Sequence, residues 1–158
     1  MTVNRLLVVL GDQLERRYPS HAGLDPACDA LFMAEVGAES THVASHVQRT
    51  VMFLSAMRHY AAERKADGWR VHYRKLGDPD NQGDLHSEIV RACARLSPRQ
   101  LIAYLPGEWR VLEVVTSAAA CADVPLEVLG DPHFLCDRAT FDKWAAGRTG
   151  ALLGASKG

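Results

Sequence analysis

The sequence lacks the features of a membrane protein, of a disulfide-rich scaffold and of the common nucleotide-binding motifs. Its apolar run at residues 6–10 is far too short to span a bilayer, and no other stretch is longer. The four cysteines, Cys28, Cys93, Cys121 and Cys136, form no CxxC pair, which indicates a reduced cytoplasmic compartment. The N-terminus lacks the charged region and cleavage site of a signal peptide. Neither GxGxxG nor GxxxxGK[ST] occurs, so the usual dinucleotide and P-loop signatures are absent.

A strong charge of either sign is also missing. The 18 basic and 19 acidic residues nearly cancel to a net charge of −1, and the basic residues are scattered. Because no lysine or arginine stripe could follow a phosphate backbone, we expect weak or no nucleic-acid binding by this chain alone. The 158 residues, 47% of them hydrophobic, suit one globular domain with a real core.

Short apolar runs alternate with longer helical stretches along the chain. The alternation predicts right-handed βαβ units around a parallel sheet, and therefore an α/β fold. The connection at residues 11–29 has weak periodicity and predicts a loop that can include a short helix. The predicted strands are residues 5–10, 30–36, 69–76, 100–105 and 125–129, with 69–76 nearest the sheet edge, and the predicted helices are residues 43–66, 84–96, 108–122 and 138–147.

The helix at residues 43–66 has the clearest apolar periodicity. Steps of three and four residues predict that Val47, Val51 and Leu54 pack against the sheet. Ser40 or Thr41 can cap its N-terminus, and a glycine at position 68 follows its end, as is common after a helix.

Ligands of open α/β sheets bind where the parallel strands end. The segments to inspect are therefore residues 11–13, residues 35–42 and residues 106–108. Two interpretations of Gly11–Asp12 remain open: a turn that lets a ligand approach the backbone, or a turn that only ends the strand. His42 and His46 have a spacing compatible with a metal, but no carboxylate or cysteine accompanies them at ligand spacing, which favours a structural or surface role.

Six segments together carry a family resemblance, because they occur in one chain and in this order. The sequence resembles the N-terminal domain of the bacterial photolyase-related proteins, the iron–sulfur class of the cryptochrome and photolyase superfamily, whose best-known members repair (6-4) photoproducts. The resemblance covers residues 5–148. The segments are VVLGDQL at 8–14, FLSAMRHYAAE at 53–63, DPDNQG at 78–83, PGEWRVLE at 106–113, DPHFLC at 131–136 and ATFDKWAAGR at 139–148.

The resemblance implies a Rossmann-like three-layer sandwich with a five-stranded parallel sheet of order 3-2-1-4-5. In the family this domain holds a light-harvesting ribityl-lumazine, and a helical catalytic domain binds FAD, an iron–sulfur cluster and DNA. The positions that match the family's lumazine site are Gly11, Asp12, Ala34, Glu39, His42 and Phe53.

Several departures from the family pattern bear on these expectations. His42 stands where family members often have tyrosine, and Phe53 stands where they have smaller aliphatic side chains, so weak or absent lumazine binding is expected. The family pattern ends after Arg148, without the FAD site or the cluster cysteines. We therefore expect no FAD, no iron–sulfur cluster and no DNA repair by this chain, with an antenna-type domain at 1–147 and a flexible tail at 148–158.

The resulting hypothesis is a stand-alone or truncated antenna-type domain of a photolyase-related protein. Two alternatives remain open, namely a regulatory module for a nucleotide-like ligand and a scaffold without a ligand. The expected partners are a separate catalytic domain, or a second copy that associates through the apolar seam left exposed by the missing domain.

Overall fold

The computed structural model describes residues 3–37, 46–134, 136 and 138–146. It contains one five-stranded sheet in which every neighbouring pair of strands is parallel. The strand order is β3-β2-β1-β4-β5, which confirms the expected α/β layout of order 3-2-1-4-5. The strands are β1 (Arg5–Val8), β2 (Ala30–Ala34), β3 (Arg70–Arg74), β4 (Gln100–Tyr104) and β5 (Leu126–Leu129).

The helices cover both faces of the sheet. Buried residues of α1 and α2 pack with one face, where Leu7 and Leu31 lie. Buried residues of α3 and α4 pack with the opposite face, where Leu6 and Ala103 lie, so the domain has three layers. The helices are α1 (Tyr18–His21), α2 (Val47–Ala66), α3 (Leu85–Leu96), α4 (Trp109–Cys121) and α5 (Arg138–Ala146).

The central strands are shorter than the apolar runs that predicted them. β1 ends at Val8, yet Val9 and Leu10 stay buried beyond it, and Val36 is buried beyond the end of β2. The apolar run therefore continues past the sheet ladder into the loops at the carboxyl ends of the strands. These loops form the floor of the cleft described below.

The prediction for the buried face of α2 was wrong at its N-terminal end. Val47 and Val51 are 69% and 61% exposed, and Leu54 is only partly buried. The residues that pack on the sheet belong to the second half of the helix, where Met57, Tyr60, Ala61 and Arg64 are buried. The apolar residues do recur at steps of three and four, but over the first two turns of α2 the face that they form points away from the sheet.

The helix ends mostly follow the sequence signals. Gly68 follows α2 with a φ of +88°, a conformation that suits glycine. Asp84 caps α3 by accepting a hydrogen bond from the Ser87 N–H at 2.8 Å. At the start of α2 the cap is His46, whose Nδ1 accepts from the Gln48 N–H at 3.2 Å. The predicted caps Ser40 and Thr41 lie outside the described residues.

Two remaining expectations concern the tail and membranes. The tail predicted at 148–158 lies outside the described residues. Within the ranges that the structure describes, no helix combines the length and the apolar character that crossing a membrane requires.

Candidate ligand-binding cleft

A cleft of about 320 Å³ opens at the carboxyl edge of the sheet. β1 and β4 are neighbours in the sheet, but the helices that follow them lie on opposite faces. The two loops consequently diverge and leave a crevice, which is the usual ligand position in open α/β sheets. The walls come from the loops after β1, β2 and β4 and from the first turns of α2, α3 and α4.

Four of the six residues predicted to bind the cofactor line this one cleft. Gly11 and Asp12 follow β1, Ala34 ends β2, and Phe53 projects from α2. The other two, Glu39 and His42, lie outside the described residues.

The cleft floor depends on the absence of a side chain at Gly11. A Cβ at this position would lie 3.1 Å from the sulfur of Met57, which packs across it. Gly107, on the opposite wall, has nothing within 4 Å of the equivalent position.

We expect Gly11→Ala to lower the free energy of unfolding by about 1 kcal/mol, because Met57 must shift. Gly107→Ala is the matched control and is expected to be neutral or slightly stabilising. Urea unfolding of the two variants measures the difference. Equal stability of the two would show that Met57 relaxes without cost.

Phe53 forms the side wall of the cleft, together with Arg49 one turn earlier. The Phe53 side chain is 36% exposed, and the Arg49 guanidinium carbon lies 5.7 Å from the centre of its ring. This distance fits a cation–π contact. The phenyl ring therefore limits the width of the cleft while the arginine places a positive charge at its mouth.

Glu35, directly after β2, is the most completely paired carboxylate at the cleft. Its two oxygens accept from Arg58 Nε at 2.7 Å and Arg58 Nη2 at 2.8 Å. They also accept from the Tyr73 hydroxyl at 2.5 Å and from the Leu76 N–H at 2.9 Å. Burial alone would raise the pKa of Glu35, but these donors outweigh it and lower the pKa to about 2. Glu35 is thus a fixed anion that joins β2, α2 and β3 beneath the cleft.

The remaining charges at the cleft balance one another. Arg110 Nη2 donates to Glu108 Oε2 at 3.1 Å on the wall formed by α4. Asp12 and Arg49 supply one charge of each sign on the other side. The rim therefore offers both hydrogen-bond donors and acceptors without a strong positive field.

Gln13 ties together the two loops that diverge at the cleft. Its side chain is almost fully buried, and Nε2 donates to the Leu105 carbonyl at 3.0 Å. The Leu105 N–H in turn donates to the Leu129 carbonyl at 2.8 Å, which extends the hydrogen bonding between β4 and β5 by one residue. This bridge sets the spacing between the Gly11–Asp12 turn and the loop after β4.

A second polar cluster fastens the segment that follows β5. The Tyr18 hydroxyl donates to Asp131 Oδ1 at 2.5 Å and lies 2.7 Å from His133 Nδ1. The Tyr18 ring stacks on Tyr104 with ring centroids 4.0 Å apart. Burial, with the Asp131 carboxylate, raises the pKa of Tyr18 far above its usual value. The phenol stays neutral, and this cluster secures a loop rather than forming a second cleft.

The sequence interpretation missed Met57, Arg49 and the Glu35 network as parts of this site. Glu35 fell within an inspected segment, but its partners come from α2 and β3, which only the folded topology brings to it. For metals, no group of three or more His, Cys, Asp or Glu in the described ranges could hold an ion. The His46 side chain caps the N-terminus of α2, and His42 lies outside the described residues.

The fold and the cleft define a class: a doubly wound, Rossmann-like α/β domain with a ligand-sized crevice at its switch point. The sequence profile of the deoxyribodipyrimidine photo-lyase-related protein family matches residues 7–154, so the chain belongs to that family. The match extends six residues beyond position 148, where the resemblance was expected to end.

Comparison with individual proteins gives two further findings. The chain is 35% identical over 146 residues to a (6-4) photolyase of Agrobacterium fabrum (strain C58 / ATCC 33970), covering 92% of this chain. It spans only 29% of that relative's length. A crystal structure of a conserved protein from Thermus thermophilus aligns with a TM-score of 0.42 at 16% identity, over 92% of this chain and 77% of that one. This last likeness is too low to bear on fold or function.

Proposed function

We propose that this chain forms an antenna-type domain of a photolyase-related protein, and that the cleft is its chromophore site. The observation that carries the proposal is the convergence of Gly11, Asp12, Ala34 and Phe53 on one cleft of about 320 Å³. These are positions that match the lumazine site of the family. The volume lies at the lower end of the roughly 300–1,000 Å³ typical of small-molecule pockets.

The chemistry of the cleft suits a ribityl-lumazine better than a phosphorylated nucleotide. The floor is apolar, with Leu10, Ala34 and Met57 nearly buried, and can face a flat conjugated ring. Asp12 and Glu108 at the rim are acceptors for the hydroxyls of a ribityl chain. A phosphate would need a surplus of positive charge, but Arg110 at the rim is paired with Glu108.

Phe53 is proposed to determine how well the ring fits. Because its phenyl group narrows the cleft, we expect weak binding of 6,7-dimethyl-8-ribityllumazine by the wild type. Phe53→Val should widen the slot and raise the affinity by about tenfold, equivalent to roughly 1.4 kcal/mol. Fluorescence titration with the free lumazine measures both dissociation constants.

Phe134→Val is the matched control, since Phe134 is 63% exposed and lies outside the cleft; its affinity should equal that of the wild type. A lower affinity for Phe53→Val would show that the ring stacks on the chromophore instead of obstructing it. Absence of binding by all three proteins would favour the ligand-free scaffold. Preferential binding of a nucleotide would favour the regulatory module.

A further inference from the structure

The outward side of α2 carries an apolar surface that the domain itself leaves uncovered. Val47, Val51 and Met52 are 69%, 61% and 63% exposed. They line a shallow groove that contains no Asp, Glu, Lys or Arg, and we call it the outer α2 face. Its residues are Val47, Gln48, Val51, Met52, Ser55, Ala56 and His59. Contiguous exposed apolar side chains are a feature of interaction surfaces.

We propose that the outer α2 face is the interface of a symmetric dimer, in which the α2 helices of two copies pack antiparallel. A two-fold axis makes one patch contact itself, so its two halves must be complementary. An axis that passes near Ser55 places a small side chain at the crossing and lets the helices approach closely. It also places Val51 and Met52 over the half of the partner helix that carries Ala56 and His59.

Charged residues beside the groove support this pairing. Arg49 and Glu63 lie roughly four turns apart on the same flank of α2, one on each side of Ser55. An antiparallel two-fold arrangement therefore brings each Arg49 beside Glu63 of the partner subunit, which forms two symmetric ion pairs. The Glu63 side chain is 55% exposed and can reach a partner subunit, and its ion pair with Arg64 is long, at 3.7 Å.

The size of the face indicates a weak dimer. The outer α2 face, from Val47 to His59, is roughly 18 Å long and about 10 Å wide. A pair of such faces falls short of the roughly 1,200–2,000 Å² buried in stable protein interfaces. The dimer should therefore form only at high protein concentration, and exposed ion pairs should contribute measurably to it.

Sedimentation velocity from about 10 µM to 1 mM tests the proposal without any ligand, so its outcome is independent of the chromophore site. The wild type should shift reversibly from monomer to dimer. Met52→Lys should raise the dissociation constant by about tenfold or more. Val128→Lys is the matched control, since Val128 is also apolar and 40% exposed but lies on β5; it should leave dimerisation unchanged.

A charge exchange tests the antiparallel arrangement itself. Glu63→Arg places like charges together at two symmetric positions and should weaken the dimer by about tenfold at low salt. Arg49→Glu should do the same, and the double variant should restore wild-type association. A monomer at 1 mM, or a dimer that Val128→Lys disrupts and Met52→Lys does not, would overturn the proposal. Failure of the double variant to recover would overturn the antiparallel register.

Discussion

Replacing Glu35 by glutamine is expected to lower the free energy of unfolding by about 2–4 kcal/mol. Glutamine offers one acceptor oxygen in place of two and turns an amide N–H₂ toward donors that it cannot satisfy. Arg58 would lose its bidentate partner, and the Tyr73 hydroxyl or the Leu76 N–H would lose an acceptor. Arg58 is half exposed and can turn to water, which keeps the loss below that of a fully buried pair. Urea unfolding at pH 7 measures it.

The same residue makes stability depend on acid in a defined window. The pKa of Glu35 is lowered from 4.5 to about 2 in the folded state. Its contribution is complete above the unfolded pKa and is lost as the pH falls through 4.5 toward 2, a change of roughly 3 kcal/mol. Glu15 and Asp29 also have lowered pKa values and contribute to the acid dependence. The contribution of Glu35 is therefore the difference in the free energy of unfolding, as a function of pH, between wild type and Glu35→Gln.

Glu63→Gln is the control for this substitution, because the Glu63 side chain is 55% exposed. It should change stability little at pH 7 and should keep the wild-type acid dependence. An acid profile that is identical in wild type and Glu35→Gln would contradict the proposed role of the Glu35 network.

Met57→Ala is expected to destabilise the domain by about 2–5 kcal/mol, while Val51→Ala should change stability by less than about 0.5 kcal/mol. Met57 is 6% exposed and packs with the core on the sheet, whereas Val51 is 61% exposed on the same helix. The measurement is urea unfolding at low micromolar protein, where association through the outer α2 face does not contribute. A comparable loss in both variants would mean that the first turns of α2 also pack on the domain.

The contrast between Met57 and Val51 shows where helical periodicity stops being informative. Apolar steps of three and four identified α2 and its end near Gly68, because both depend on local sequence. They could not say which surface an apolar face contacts. An apolar face that is left exposed has the same sequence pattern as one that packs on the sheet, and α2 carries both: Val51 is 61% exposed and Met57 is buried.

The strands and their order illustrate a similar division. Short apolar runs located the five strands, and the edge position of β3 followed from the more alternating pattern of residues 69–76. The order 3-2-1-4-5 came from the family resemblance, since apolar runs do not say which strands become neighbours. The runs also extended past Val8 and Ala34, because the loop residues beyond them are buried as fully as the strands.

For the cleft, the sequence located what lies directly after a strand and missed what reaches it from elsewhere. Gly11 and Asp12 follow from the rule that ligands meet the carboxyl ends of parallel strands, whereas Ala34 and Phe53 came from the family resemblance. The contacts of Glu35 with Arg58 and Tyr73, and of Gly11 with Met57, join segments far apart in the chain. Such contacts depend on side-chain directions that a single sequence does not specify.

The pairing of β1 with β4 also determines when this domain can fold. Leu6 and Leu7 at the centre of the sheet take their partners Leu101 and Ile102 from a segment almost a hundred residues later. On the ribosome, β1 therefore emerges long before its second neighbour exists, and one edge of this central strand stays unpaired until β4 has been synthesised. Closure of so long a loop slows folding. Until β4 has been synthesised, the unpaired edge of β1 must be shielded from pairing with other chains.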